Sequence, residues 1–112
     1  MRKTVFVVLA VLGLLCACGS VCDQAIAAER SANQKGVNCS TQNITVHDSN
    51  KCNTGLSKCN SDDLNEIGNY TNCLNSLPNC STGNEIQWNG QRQGCINQAF
   101  FKISFTCQSN IL

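Results

Sequence analysis

The chain has little of what catalysis and metal binding require. Its 112 residues include a single histidine, His47, and no Cys-x-x-Cys segment. The thioredoxin-like redox motif and the zinc-ribbon and zinc-finger frameworks need a Cys-x-x-Cys segment, so its absence excludes them. A Cys/His nucleophile pair would need a free thiolate near His47, whereas each thiol of so cysteine-rich a chain is expected to be half of a disulfide. We therefore expect no catalytic residue, no metal ion and no cofactor, and we expect that the protein is not an enzyme.

The chain also has no large excess of positive or negative charge. The sequence carries eight Lys and Arg residues against seven Asp and Glu residues, for a net charge of +1. Two of the basic residues, Arg2 and Lys3, stand at the start of the chain, and the remainder is close to neutral. Because no basic patch or stripe is left, we expect no nucleic-acid partner.

The first residues have the pattern of an export signal. Met1-Arg2-Lys3 precedes an apolar run from Val5 to Leu15, and small residues follow that run. The run is too short to be a convincing transmembrane span, but its length suits the apolar centre of a signal peptide. The sequence therefore predicts that the protein is exported.

Cysteine parity ranks the possible cleavage sites. A cut after Ala27 follows the small-x-small pattern, but it discards Cys22 and leaves an odd number of cysteines. A cut after Gly19, or one before a modified Cys18, leaves an even set that suits four disulfides in an oxidising compartment. The sequence does not determine how the members of that set pair. They are Cys22, Cys39, Cys52, Cys59, Cys73, Cys80, Cys95 and Cys107.

The segment Leu15-Cys16-Ala17-Cys18 resembles the lipobox of bacterial lipoproteins. The resemblance implies that residues 1–17 are a signal peptide and that the Cys18 thiol receives a diacylglycerol before cleavage. The residue directly after Cys18 is Gly19 and not Asp. In a two-membrane bacterium, this implies transport to the outer membrane or cell surface. Each buried methylene contributes about 0.8 kcal/mol, so two or three acyl chains form a durable membrane anchor. The alternative is an ordinary secretory signal that is removed together with Cys16 and Cys18.

Residues 18–38 are small, polar and mixed in charge, and they lack a sustained apolar face. We expect them to form a flexible, lipid-attached tether, which a disulfide from Cys22 would pin to the domain. Residues 39–112 would then form a cysteine-rich domain. Its core is small, so disulfides worth about 2 to 4 kcal/mol each are expected to hold it together.

The domain is expected to be all-α, a stapled bundle of about three short helices. A first helix is capped by Asp48 or Ser49 and includes Cys52. A second begins at Ser61 and ends at Leu77-Pro78, because proline restricts its predecessor. A third extends over about residues 84–107, where Ile96, Phe100, Ile103 and Cys107 form a stripe, although residues 103–106 could equally form a short strand.

Two groups of side chains are candidates for chemistry or binding. Asp62, Asp63 and Glu66 could bind calcium or act as an acid/base pair, but their position at a helix start explains them as capping residues, because the helix dipole favours acidic groups there. The aromatic residues are expected to form the core, except that Phe101, which lies off the apolar stripe, is the one we expect to be exposed and to bind a partner. This second group comprises Trp88, Phe100, Phe101 and Phe105.

The stretch from Cys73 to Cys80 reads Cys-Leu-x-x-Leu-Pro-x-Cys. Together with the cysteine spacing from Cys52 to Cys107, it is similar to a cysteine-rich helical module in lipoproteins of gliding and predatory bacteria of the myxobacterial type. The resemblance implies an exported helical domain with disulfides, and it adds no catalytic residue. It favours a lipid-anchored interaction or structural protein with an unidentified protein or carbohydrate partner.

A soluble, glycosylated effector or inhibitor-like peptide secreted by a eukaryote is the alternative. Four Asn-x-Ser/Thr sequons favour it, although about two or three are expected by chance in so Asn-rich a chain. Cysteines stand in the middle of two of them. The acceptor residues are Asn38, Asn43, Asn69 and Asn79.

Overall fold

The structure, a computed structural model, describes residues 20–40 and 43–112. Within these ranges it contains five α-helices, one turn of 3-10 helix and no strand. The all-α class is thus confirmed, whereas the count of three helices is too low. The predicted signal peptide and the predicted lipidation site Cys18 lie outside the described residues. The helices are α1 (Val21–Lys35), α2 (Ser49–Gly55), α3 (Ser61–Asn75), α4 (Glu85–Lys102) and α5 (Phe105–Ile111), and the 3-10 turn is Leu56–Lys58.

Helix α1 occupies the segment that was expected to be a flexible tether, and that expectation is wrong for residues 21–35. The Ser20 side chain caps the helix by accepting a hydrogen bond from the backbone N–H of Asp23. One face of α1 is buried, mainly against α3, and most of its apolar side chains are small. Small side chains give a weak hydropathy signal, but they let two helices pack closely. The domain therefore includes α1.

The starts of α2 and α3 follow the sequence pattern closely. Asp48 caps α2 through the backbone N–H of Lys51 at 2.9 Å. The cap of α3 is Asn60, one residue before the predicted Ser61, and it forms a reciprocal capping box with Asp63. Helix α3 ends at Asn75, just before Leu77-Pro78, as expected.

The predicted third helix is broken into α4 and α5. Ile103 and Ser104 are extended, with ψ angles of 132° and 149°. Ser104 then caps α5 by accepting a hydrogen bond from the Cys107 backbone N–H at 3.3 Å. The alternative of a strand over residues 103–106 is also wrong, because α5 begins at Phe105.

Buried side chains form two clusters, both of which involve α1. The first lies between α1, α3 and α4 and contains Trp88, which is 1% exposed and donates its Nε1–H to the Pro78 carbonyl at 2.6 Å. The second lies between α1, α2, α3 and α5 and includes Ile67 and Ile111. The expectation that Trp88 belongs to the core is confirmed.

Disulfides join all of these elements. Every cysteine of the described residues is paired, as parity predicts. Cys22–Cys52 joins α1 to α2, and Cys73–Cys95 joins α3 to α4. The other two bridges are Cys39–Cys80, between the loops that follow α1 and α3, and Cys59–Cys107, which holds α5 to the residue after the 3-10 turn. Among residues 20–40 and 43–112, no helix is both long and apolar enough to span a membrane.

Candidate functional site

An apolar cavity of about 180 Å³ lies between α1, α3, α4 and α5. Its wall includes Ala25, Ile67 and Ala99, and the exposed side chains of Phe100 and Leu112 stand at its edge. Three polar side chains of the wall, Glu29, His47 and Tyr70, belong to one hydrogen-bonded cluster. We call them the Glu29 cluster. An apolar pocket with a few convergent polar groups is the usual form of a small-molecule site.

Glu29 is the centre of this cluster. It lies on α1 in line with the buried residues Cys22 and Ile26, and only 1% of its surface is exposed. Burial of a carboxylate is costly unless the group is paired and hydrogen-bonded. Its Oε1 accepts the backbone N–H of His47 at 3.1 Å, and its Oε2 accepts the Tyr70 hydroxyl at 2.8 Å.

His47 completes the pairing from the segment between α1 and α2. Its Nδ1 lies 2.6 Å from Glu29 Oε2. The segment is held against α1 because the Asn33 side chain accepts the backbone N–H of Ile44 at 2.6 Å and donates to its carbonyl at 2.9 Å. The hydrogen bond to Glu29 raises the pKa of His47 above its ordinary value of 6.5, although partial burial acts in the opposite direction.

Tyr70 approaches the same carboxylate from α3. Burial, and then the charge of Glu29, raise the pKa of its hydroxyl well above the usual range, so the phenol stays protonated and acts as a donor. The cluster therefore combines an acceptor group from α1, a donor from α3 and a titratable donor from a loop. It can orient a ligand by hydrogen bonding. Cys22 and Cys52 also line the cavity, and their sulfur atoms are bridged to each other.

Sequence patterns alone do not single out Glu29 or Tyr70 as site residues. One signal is nevertheless present, because Glu29 continues the i, i+3, i+4 series of Cys22, Ala25 and Ile26, which is the core-facing stripe of α1. A charged residue in such a stripe needs a partner, and the partners come from distant parts of the chain.

The acidic residues at the start of α3 have structural roles. Asp63 is buried, and backbone and side-chain hydrogen bonds from Ser104, with one from Asn60, hold its pKa below the ordinary value. The possible ligand atoms of Cys59, Asp63 and Cys107 lie within 4.8 Å of one another. The two sulfurs form a disulfide, however, so they are not thiolate ligands for a metal.

Three phenylalanines around the junction of α4 and α5 are exposed, and we call them the phenylalanine surface. Phe101 is 81% exposed, as its position off the stripe predicts. Phe100 and Phe105 are 64% and 82% exposed, so the expectation that they belong to the core is wrong. The stripe assumed one continuous helix, whereas the break at Ile103 and Ser104 changes which faces are buried.

The four sequon asparagines are exposed. Two of the sequons, those of Asn38 and Asn79, contain the cysteines that form the Cys39–Cys80 bridge.

The chain matches no family model, no curated protein and no solved structure.

Proposed function

We propose that the protein is an exported, lipid-anchored interaction or structural protein of a bacterial cell surface, without a catalytic role. The observation that carries this proposal is the pairing of all the cysteines from Cys22 to Cys107 in four disulfides. Disulfides form and persist in oxidising compartments and are rare in the cytosol. The folded domain is therefore compatible with export.

The position of Cys22 supports cleavage at Cys18 over cleavage after Ala27. Cleavage after Ala27 would divide α1, and it would remove Cys22 from its partner Cys52. It would also remove Ala25 and Ile26 from the buried face of the helix. Cleavage before Cys18 leaves the whole of α1 and its bridge in the mature chain.

The phenylalanine surface supports a role in interaction. Phe100 and Phe101 form an edge-to-face pair, with ring centroids 5.6 Å apart, on the outside of the domain. Exposed aromatic groups of this kind suit contact with a protein or a carbohydrate. In this proposal, the lipid anchor holds the domain at the membrane and the phenylalanine surface contacts the partner.

Mass spectrometry of the mature protein from bacterial membranes tests the proposal. We expect an acylated Cys18 N-terminus and partition of the protein into detergent. Cys18→Ser should abolish acylation, whereas the matched control Cys16→Ser should leave it intact. A mature chain that begins at unmodified Gly19, Ser20 or Ala28 would contradict lipid anchoring.

A secreted, glycosylated peptide is the second candidate, favoured by the exposure of the sequon asparagines. In that case, bridging of Cys39 to Cys80 competes with glycan transfer at Asn38 and Asn79. Glycans should therefore be found chiefly at Asn43 and Asn69. This candidate would be supported, and the first contradicted, if the protein is recovered from the medium and its mass falls on treatment with a glycosidase.

A further inference from the structure

We propose that the cavity beside the Glu29 cluster binds a small neutral molecule that has one apolar ring or short chain and one hydroxyl group. The apolar part would occupy the cavity, and the hydroxyl would donate a hydrogen bond to Glu29. The proposal concerns the folded domain alone, so it does not depend on acylation of Cys18.

The size of the cavity sets the size of the ligand. Its volume is about 180 Å³, and an engineered apolar cavity of about 150 Å³ in another protein binds benzene. A single six-membered ring with one or two substituents therefore fits inside the cavity, whereas a long acyl chain or a fused ring system would extend beyond it.

The polar wall sets the chemistry of the ligand. A carboxylate offers about four acceptor positions. Glu29 uses one of them on Oε1, for the His47 backbone, and two on Oε2, for the His47 ring and Tyr70. One acceptor position on Oε1 thus remains, and Glu29 lines the cavity. A hydroxyl group supplies the donor that this position lacks.

The charge balance of the cluster favours a neutral ligand. The His47 ring lies 2.6 Å from the Glu29 carboxylate and compensates its charge when the imidazole is protonated, which the raised pKa of His47 favours. A cationic ligand would meet the His47 charge, and an anionic ligand would meet the Glu29 charge, both across a wall of low polarity. The partly exposed Phe100 and Leu112 at the edge of the cavity provide an apolar mouth for a neutral molecule.

The experiment is an NMR titration of the oxidised protein with phenol and with toluene. The two probes are similar in size, and only phenol has a hydroxyl group. We expect phenol to shift amide signals of α1, α3 and α4 around the cavity, and to bind about tenfold more tightly than toluene, as expected for one hydrogen bond. Equal affinities, or no binding of either probe at about 10 mM, would overturn the proposal.

Cavity-filling variants locate the site. Ala25→Leu adds volume inside the cavity, and Ala27→Leu makes the same change on the exposed face of α1. We expect Ala25→Leu to weaken phenol binding at least tenfold and Ala27→Leu to leave it unchanged. Ala99→Leu, at a less buried wall position on α4, repeats the test if Ala25→Leu does not fold. Unaltered phenol affinity in a folded cavity-filling variant would refute binding in this cavity.

Discussion

The Asp63 carboxylate accepts hydrogen bonds from both the backbone N–H and the hydroxyl of Ser104, each at 2.8 Å, although the two residues are 41 positions apart. The same carboxylate accepts the Asn60 backbone N–H at 3.0 Å. One buried side chain thus completes the cap of α3 and fixes the break between α4 and α5. The capping role predicted for Asp63 is confirmed, and the long-range role adds to it.

Asp63→Asn should destabilise the protein, because a single amide oxygen cannot replace two carboxylate oxygens that accept three donors. We expect the thermal midpoint to fall by about 5 to 10 °C. Asp62→Asn, at the exposed neighbouring position, should change it little. Thermal unfolding followed by circular dichroism makes the comparison. Equal midpoints for the two variants would contradict the role of Asp63.

Gly55 is a site where α2 and α5 approach each other closely. A methyl group at this position would overlap the backbone carbonyl of Asn110. Gly55→Ala should therefore lower the free energy of unfolding by about 2 to 3 kcal/mol. Gly68→Ala in α3 is the matched control, because nothing lies within 4 Å of its added methyl group. It should raise the free energy of unfolding by about 0.5 to 1 kcal/mol. Urea unfolding measures both changes, and a Gly55→Ala variant as stable as the unsubstituted protein would contradict the close approach.

The pair of Glu29 and His47 should make stability depend on pH near neutrality. The pKa of His47 is raised in the folded state, so its contribution is fully present below the ordinary value of 6.5 and is lost as the pH rises through the raised value. The urea midpoint should therefore fall as the pH rises above about 6.5. His47→Gln should remove this fall. A midpoint with the same pH profile in both proteins would argue against the pairing.

Disulfide mapping should recover four specific pairs. A non-reducing peptide digest is expected to give Cys22 with Cys52, Cys39 with Cys80, Cys59 with Cys107 and Cys73 with Cys95. Replacement of both Cys73 and Cys95 by Ala, whose bridge spans 22 residues, should lower the free energy of unfolding by about 3 kcal/mol. A free thiol at any of these eight cysteines, or any other pairing among them, is incompatible with the fold.

The sequence predicts the starts of α2 and α3 and the end of α3 well, because these boundaries depend on residues that are close together in the chain. The caps at Asp48 and Asn60 and the stop before Pro78 depend on residues within one turn, and the predicted starts and stop of α2 and α3 lie close to the observed ones. The break after α4 is different, because it depends on the contact of Ser104 with Asp63 in another helix. A helical stripe in the sequence does not contain that information.

The candidate site is harder to predict for the same reason. Glu29 makes α1 look like a polar tether, because a charged residue in a row of alanines lowers the apparent hydropathy of the segment. Its burial depends on His47 and Tyr70, which lie 18 and 41 positions away. Parity places Cys22 in an even set of cysteines but does not decide whether it is bridged. The three-dimensional structure shows that it is, and identifies Cys52 as its partner.

If Cys18 carries the proposed lipid anchor, the cap of α1 at Ser20 limits the distance between the domain and the membrane. Only Gly19 separates Cys18 from the cap, and two extended residues span about 7 Å. The domain of the acylated protein would therefore lie directly on the bilayer surface, with the first turn of α1 at the level of the headgroups. Its partners would be restricted to molecules that come to the membrane surface themselves, such as other envelope proteins, surface glycans or small solutes that concentrate there.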